Sequence, residues 1–283
     1  MMIDRYQPRN NEERKNALKE IIQQIALAGL SHGDFFSVAG FYGGTCLRLF
    51  YGLDRFSEDL DFALIKKPSS FNLEFYFPAL KKEFASFGIG VEIEQKVKVE
   101  QTDIQSAFIK SNALTLLLSF FPNSEEVKKI VFNDKLKIKF EIDVNNPAGF
   151  TTRAEYQLLP SPYEIRIFDE ASLFSGKITA ILCREYKRHV KGRDFYDYLF
   201  LLSKGSKINL SYLENKLKAT GGKIRQDEQL TLEKVKQLLK DKFEHVDYEA
   251  AKEDVANFIK NKQSLSLWKK DFFLSTIDRL QSE

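Results

Sequence analysis

From residue 135 to residue 145 the chain alternates without a break. Leu136, Ile138, Phe140, Ile142 and Val144 face one way, while Lys137, Lys139, Glu141 and Asp143 face the other. A strand with period two and one apolar face needs a sheet with a core on that side only. An all-helical fold is therefore excluded, and the rest of the chain must supply partner strands. Residues 59–65, 91–100 and 113–121 carry strand patterns, and 35–41 reads as a short buried strand. Between them lie helical patterns. Ala17, Ile21, Ile22, Ile25, Ala26 and Leu30 repeat at three and four within 11–30. Residues 45–51 form a second helix that Gly52 closes, and 71–88 a third that Pro78 interrupts.

After Pro147, Pro160 and Pro162 the strand signals fade. Residues 169–203 read as one long helix broken once at Gly192, and Gly205, Gly221 and Gly222 mark turns among some four amphipathic helices. The expected fold class is α+β: a mixed sheet with flanking helices in a domain over 1–160, then an all-helical domain over 161–283 that contributes to the active-site cleft. Phenylalanine dominates the core chemistry, with 25 Phe and 11 Tyr against a single Trp. Forty-three basic and 40 acidic residues leave a net charge of +3, which by itself selects no partner. Cys46 and Cys183 lie too far apart for a disulfide framework, and three histidines do not make a His/Cys zinc site. No run approaches the ~18 apolar residues of a membrane span, and the first residues lack a signal-peptide core. A cytoplasmic location with no membrane partner is expected.

Chemistry concentrates at Asp59 and Asp61. Two apart on a strand, they project from one face while Leu60 and Phe62 pack behind. Like charges about 4 Å apart repel by roughly 1 kcal/mol in water and about 4 at an effective dielectric of 20. A solvated strand face is the ordinary explanation of such a pair; a divalent cation is the functional one, and magnesium takes one or two carboxylates plus phosphate oxygens. Fourteen residues before Asp59 is Thr45, ending the run Gly43-Gly44-Thr45 at a strand-to-helix junction, where backbone N–H groups and the helix dipole favour phosphate. The Thr45 hydroxyl is placed to cap the helix or bond an anion.

Gly43-Gly44-Thr45-Cys46-Leu47-Arg48 followed by Arg55-Phe56-Ser57-Glu58-Asp59-Leu60-Asp61-Phe62 resembles the signature of AbiEii/AbiGii-type nucleotidyltransferases. These are toxins of type IV toxin–antitoxin and abortive-infection systems within the DNA polymerase β superfamily. The resemblance implies a nucleotidyltransferase-like sheet and Asp59 and Asp61 as ligands of the catalytic metal, with Arg48 and Arg55 flanking the site. It also implies a third carboxylate from a neighbouring strand. Glu141 and Asp143 share a face and position alone does not choose; Asp143 is preferred because its shorter side chain holds a metal more rigidly.

Residues 175–197 read as a helix on which Lys177, Arg184, Arg188 and Lys191 form a basic stripe, ordinarily a solvated face. Lys177, however, sits in an apolar stretch, which favours its pointing at an anion. Lys191-Gly192-Arg193-Asp194 is similar to the second half of the family's later Arg-x-Lys-x-x-Asp motif; His189 replaces the arginine, with Arg188 beside it. The resemblance implies that Lys177 binds nucleotide phosphates and that Asp194 is an acidic catalytic residue; Asp197, by its place on the helix, is expected to cap or pair within the helix core. The implied nucleotide contacts are Gly43, Gly44, Thr45, Arg55, Ser57, Lys177 and Arg184. It follows that the expected activity is magnesium-dependent (or manganese-dependent) transfer of a nucleoside monophosphate from a nucleoside triphosphate to an acceptor hydroxyl. A tRNA acceptor and a cognate antitoxin are the expected partners. A housekeeping transferase acting on a protein or small molecule, and a partner-binding module that keeps the fold, are the alternatives.

Overall fold

The computed structural model describes residues 6–8, 10–66, 71–96, 113–122, 136–185, 190–220 and 223–283. Seven strands form one mixed sheet in the order β3-β4-β5-β2-β1-β7-β6. They are β1 (Ala39–Tyr42), β2 (Leu60–Leu64), β3 (Ile89–Lys96), β4 (Ala113–Pro122), β5 (Leu136–Asp143), β6 (Thr152–Gln157) and β7 (Tyr163–Phe168). The helices are α1 (Asn11–His32), α2 (Gly43–Tyr51), α3 (Phe77–Ser86), α4 (Glu170–Cys183), α5 (Gly192–Ser203), α6 (Leu210–Ala219), α7 (Leu232–Phe243), α8 (Tyr248–Ala256) and α9 (Lys270–Thr276). At the centre, β2 runs antiparallel to β1 and parallel to β5, while β7 lies parallel to β1.

The apolar faces of the central strands meet in an aromatic core. Phe62 of β2 and Phe140 of β5 lie 4.5 Å apart between ring centroids, and Phe35 meets Phe62 edge-on at 5.1 Å. All three are fully buried, as are Ile138 and Ile142, so the alternation of β5 is realised with its apolar set inward. Gly52 terminates α2 in the left-handed conformation at φ 81°, where a side chain would be strained.

Several expected elements change shape. The strand expected over 35–41 is a 3-10 turn at Phe35–Ser37 followed by β1. Pro78 begins a helix rather than breaking one: a 3-10 turn at Leu73–Tyr76 precedes α3, with the proline in its first turn where no intrahelical N–H is needed. The expected strand over 91–100 is β3, ending at Lys96, with residues 97–100 outside the described set. Strands β6 and β7 were not read from the sequence, and β7 extends the sheet to Phe168, past the division expected near residue 160. Its segment, Tyr163-Glu164-Ile165-Arg166-Ile167-Phe168, does alternate, but six residues between Pro162 and the Asp169 helix cap leave little pattern to read.

The helical pattern over 169–203, expected to break once at Gly192, is two helices, the second starting at that glycine and the first ending earlier than expected. Arg184 leaves the helical conformation at ψ 129°, residues 186–189 fall outside the described set, and α5 starts at Gly192. The stripe of Lys177, Arg184, Arg188 and Lys191 is therefore not one helix face, and Arg188 and His189 lie outside the described residues. Helix α4 is buried on nearly all sides, which suits its apolar composition, and Asp169 caps it by accepting from the Ser172 backbone N–H. At Gly192 a Cβ would lie 1.8 Å from the Ala251 carbonyl oxygen of α8, so only glycine lets α5 approach α8 this closely. Gly192→Ala is expected to destabilise the protein by about 1–3 kcal/mol or more through forced displacement of backbone, read as a lower urea midpoint.

Candidate active site

The site forms where β1 ends, β2 begins and α4 and α5 pack behind them. Tyr42 pairs with Asp61 across the β1–β2 ladder, and the chain then turns into α2 through Gly43 at φ 84°. A Cβ on Gly43 would stand 2.2 Å from Asp61 Oδ2, so the carboxylate lies directly against the glycine. A Cβ on Gly44 would stand 2.7 Å from Arg55 Nη2 and 2.8 Å from Ser57 Oγ. The two glycines thus serve the turn and also leave room for three site residues. Thr45 neither caps α2 nor faces an anion; its buried hydroxyl donates to the Asp59 carbonyl and ties the helix to the acidic strand. Tyr42 is the N-cap of α2 and gives no side-chain hydrogen bond to it.

Asp59 and Asp61 come together as expected. Burial raises Asp59 above the ordinary carboxylate range, helped by Glu141 and Glu58 and opposed by Lys139 and Arg193. Asp61 is pushed up to about 7, first by burial and then by the charges of Asp59 and Glu141, against Lys177 and Lys139. The parallel β2–β5 register sets Glu141 opposite Asp61 and Asp143 opposite Ala63. Glu141 is therefore the acid beside the pair. Asp143, preferred from the sequence, lies one step further along the same face, where it accepts from the Asn145 backbone N–H at 3.0 Å and meets Lys216 Nζ at 3.8 Å. Among the described residues no three His, Cys, Asp or Glu side chains gather around one point as metal ligands, and Glu141 is turned to Lys139 Nζ at 2.7 Å. The donor set still suits a hard divalent cation: two carboxylates, one against a glycine turn, whose uncompensated charge shows in the raised proton affinity of Asp61.

Behind the acids is a buried ionic network. Arg55, 2 % exposed, grips Asp197 of α5 with Nε and Nη2, each 2.6 Å from a carboxylate oxygen, and donates to the Phe56 carbonyl at 2.8 Å. Arg55 thereby bridges the glycine turn and α5, with Asp197 and the Phe56 carbonyl as its partners. Lys177 of α4 lies 2.7 Å from Asp197 and 3.3 Å from Asp194. Arg184 closes on the other Asp194 oxygen. Although burial alone would raise it, Arg55 and Lys177 hold Asp197 below the ordinary carboxylate range. Arg48 turns away from the acids, with its Nε 2.9 Å from Glu20 of α1 and its guanidinium over Phe56.

Two cations at the site went unassigned in the sequence. Arg193 stacks over Phe258 at 4.3 Å, lies 3.6 Å from Asp254 and 3.9 Å from Glu58, and its charge reaches Asp59. Lys139, given no role in the sequence, feels Glu141, Asp59 and Asp61. Its place on the same face as Glu141, from which a site carboxylate was expected, was legible; its approach to Asp59 and Asp61 depended on which strand β5 pairs with.

Acids buried against a glycine turn at the centre of a mixed sheet, with cations from two helices behind them, define the nucleotidyltransferase class. A family model described as nucleotidyl transferase AbiEii toxin, type IV TA system, matches residues 25–275. The chain belongs to this family and is a nucleotidyltransferase; its substrate class is a nucleoside triphosphate, and a cognate antitoxin goes with the family. In fold it is similar to MenT4, the nucleotidyltransferase toxin Rv2826c from Mycobacterium tuberculosis H37Rv, at 16% identity over 98% of this chain and 87% of that one, with a TM-score of 0.62. A candidate nucleotidyltransferase from H. pylori aligns at 18% identity over 92% of each chain, with a TM-score of 0.50. A search of curated proteins gave no match. Among the described residues no helix is long and apolar enough to cross a membrane.

Removing Arg55 leaves Asp197 buried with only Lys177, so Arg55→Met is expected to cost about 3–5 kcal/mol in urea unfolding. Asp61 gives a pH signature. The folded chain holds its proton more tightly than the unfolded chain, so the carboxyl contributes stability at low pH that is lost as pH rises from about 4 through about 7. In chelator-treated protein, Asp61→Asn is expected to melt above wild type at pH 8, by a margin on the order of 4 kcal/mol that vanishes near pH 4.

Proposed function

We propose that the protein transfers a nucleoside monophosphate from a nucleoside triphosphate to an acceptor hydroxyl, with tRNA as the acceptor and Asp59 and Asp61 as the metal-holding residues. The observation that carries this reading is the contact of Asp61 with the Gly43 turn, which brings a phosphate-binding backbone and a cation-binding acid pair within one residue's width. Magnesium, or manganese in its place, would be held by Asp59 and Asp61 and would neutralise charge on the phosphates. The backbone N–H groups at the start of α2 receive the phosphates, and Ser57, beside Gly44, lines the same turn. Lys177 approaches from α4, its charge reaching Asp61 while Asp194 and Asp197 hold its ammonium.

In the transfer, the acceptor oxygen bonds to the α-phosphorus as the bond to the β-phosphate oxygen breaks, and pyrophosphate leaves. The acceptor proton passes to a carboxylate of the Asp59–Asp61 pair, where burial favours the protonated form. Asp194 is less suited to that task, because Lys177 and Arg184 both engage it. Its role in this reading is to hold Lys177.

The RNA acceptor is supported by the far end of α4. Lys223 is exposed there, Lys242 is half-buried with its ammonium on the Arg184 carbonyl, and the Arg184 side chain is half exposed beside them. A cluster of cations at the rim of a transferase site suits a phosphate backbone. The test is incubation with magnesium, each labelled nucleoside triphosphate and total tRNA, with Asp59→Ala in parallel. Wild type is expected to label an RNA band and Asp59→Ala to label none while keeping its melting profile. Transfer by the folded variant would overturn the assignment of Asp59, and labelling of protein alone would overturn the RNA acceptor.

A further inference from the structure

Asp59 and Glu141 both act on Asp61, and the cations around these acids differ in how far they are committed elsewhere. Lys177 is fixed by Asp197 and Asp194, and Arg193 is shared between Glu58 and Asp254 while stacked on Phe258. Lys139 is different. Its ammonium lies 2.7 Å from Glu141, and among the described residues the charges that act on it most are Glu141, Asp59 and Asp61, all acids of the site itself. Its side chain is 41% exposed, so the stem is free to swing without repacking the core. A lysine suits such a post, being a compact point charge on a flexible chain.

We propose that Lys139 is the internal counter-ion of the acid group: it occupies Glu141 and screens Asp59 and Asp61 while the site is metal-free, then passes to the triphosphate when a divalent cation enters. The reasoning is electrostatic and rests on the proposed function above. An ammonium and a divalent cation placed among the same carboxylates repel each other, so metal alone binds against Lys139. A triphosphate arriving with the metal reverses this, because it offers the displaced ammonium a new anionic partner. Metal and nucleotide binding are thereby coupled, each raising the affinity for the other. The fold gives the register that makes this work: β5 lies parallel to β2, and Lys139 and Glu141 share the face of the acids.

The experiment uses the full chain and Mn2+ as the probe, followed by electron paramagnetic resonance without nucleotide, with Asp59→Asn as the control. Lys139→Met is expected to bind Mn2+ about tenfold more tightly than wild type, since one screened positive charge is removed from the site. With Mn2+ saturating, the same variant is expected to bind an α,β-methylene triphosphate analogue about tenfold more weakly, and Lys139→Arg to restore both values most of the way. Mn2+ binding that needs Asp59 but is unchanged or weakened in Lys139→Met would overturn the counter-ion role and leave the proposed function standing. Tighter Mn2+ binding with unaltered analogue binding would overturn the transfer of Lys139 to the triphosphate. Mn2+ binding indifferent to Asp59→Asn would overturn the metal assignment itself, and this inference with it.

Discussion

Arg55 and Asp197 are the joint on which the rest of the molecule depends. One belongs to the turn before the acidic strand, the other to the second turn of α5, and both are sealed from water. A bidentate guanidinium–carboxylate pair fixes distance and angle together, which a packed pair of methyl groups does not. Desolvating both groups is costly, and the geometry offsets that cost only because Lys177 and the Phe56 carbonyl complete the set of partners. Through this joint the sheet and the helices become one site. The glycine turn closes over Arg55 on one side, and α4 delivers Lys177 on the other.

The acid pair itself is held in place by small contacts rather than by strong ones. Thr45 secures the backbone of Asp59, Gly43 accepts the carboxylate of Asp61 at its bare Cα, and Gln23 of α1 donates to the Ser57 carbonyl. None of these neutralises the acids. The raised proton affinity of Asp61 is the residue of that arrangement, and it marks the place where a cation gains most.

What the sequence disclosed follows from the range of the physics involved. The glycine turn, the α2 helix with its Gly52 stop and the alternation of β5 are local, set by backbone conformation and by side-chain period, and they were readable. Pairing of Asp197 inside the helical core was also expected from its place in an apolar helix. The choice between Glu141 and Asp143 was not readable, because it depends on inter-strand register, which no single strand contains. For the same reason Arg55 and Thr45 were read as facing a ligand when their partners are Asp197 and the Asp59 carbonyl, 142 and 14 residues away. The break at Gly192 was also readable from the glycine itself; what was hidden is that the first helix already ends before Arg184, so the basic stripe does not run across the break.

The separation of Arg55 from Asp197 has a temporal side. A ribosome extends the chain from the amino end, so the glycine turn and both aspartates emerge long before the carboxylate that locks Arg55 in place. At ~5–20 residues per second, that interval is on the order of ten seconds. For most of it the nascent chain carries its acids but lacks Lys177, and throughout it lacks the Asp197 that fixes both Arg55 and Lys177. The Arg55–Asp197 joint is thus available only to a chain extended past residue 197, and the geometry it fixes cannot precede that point.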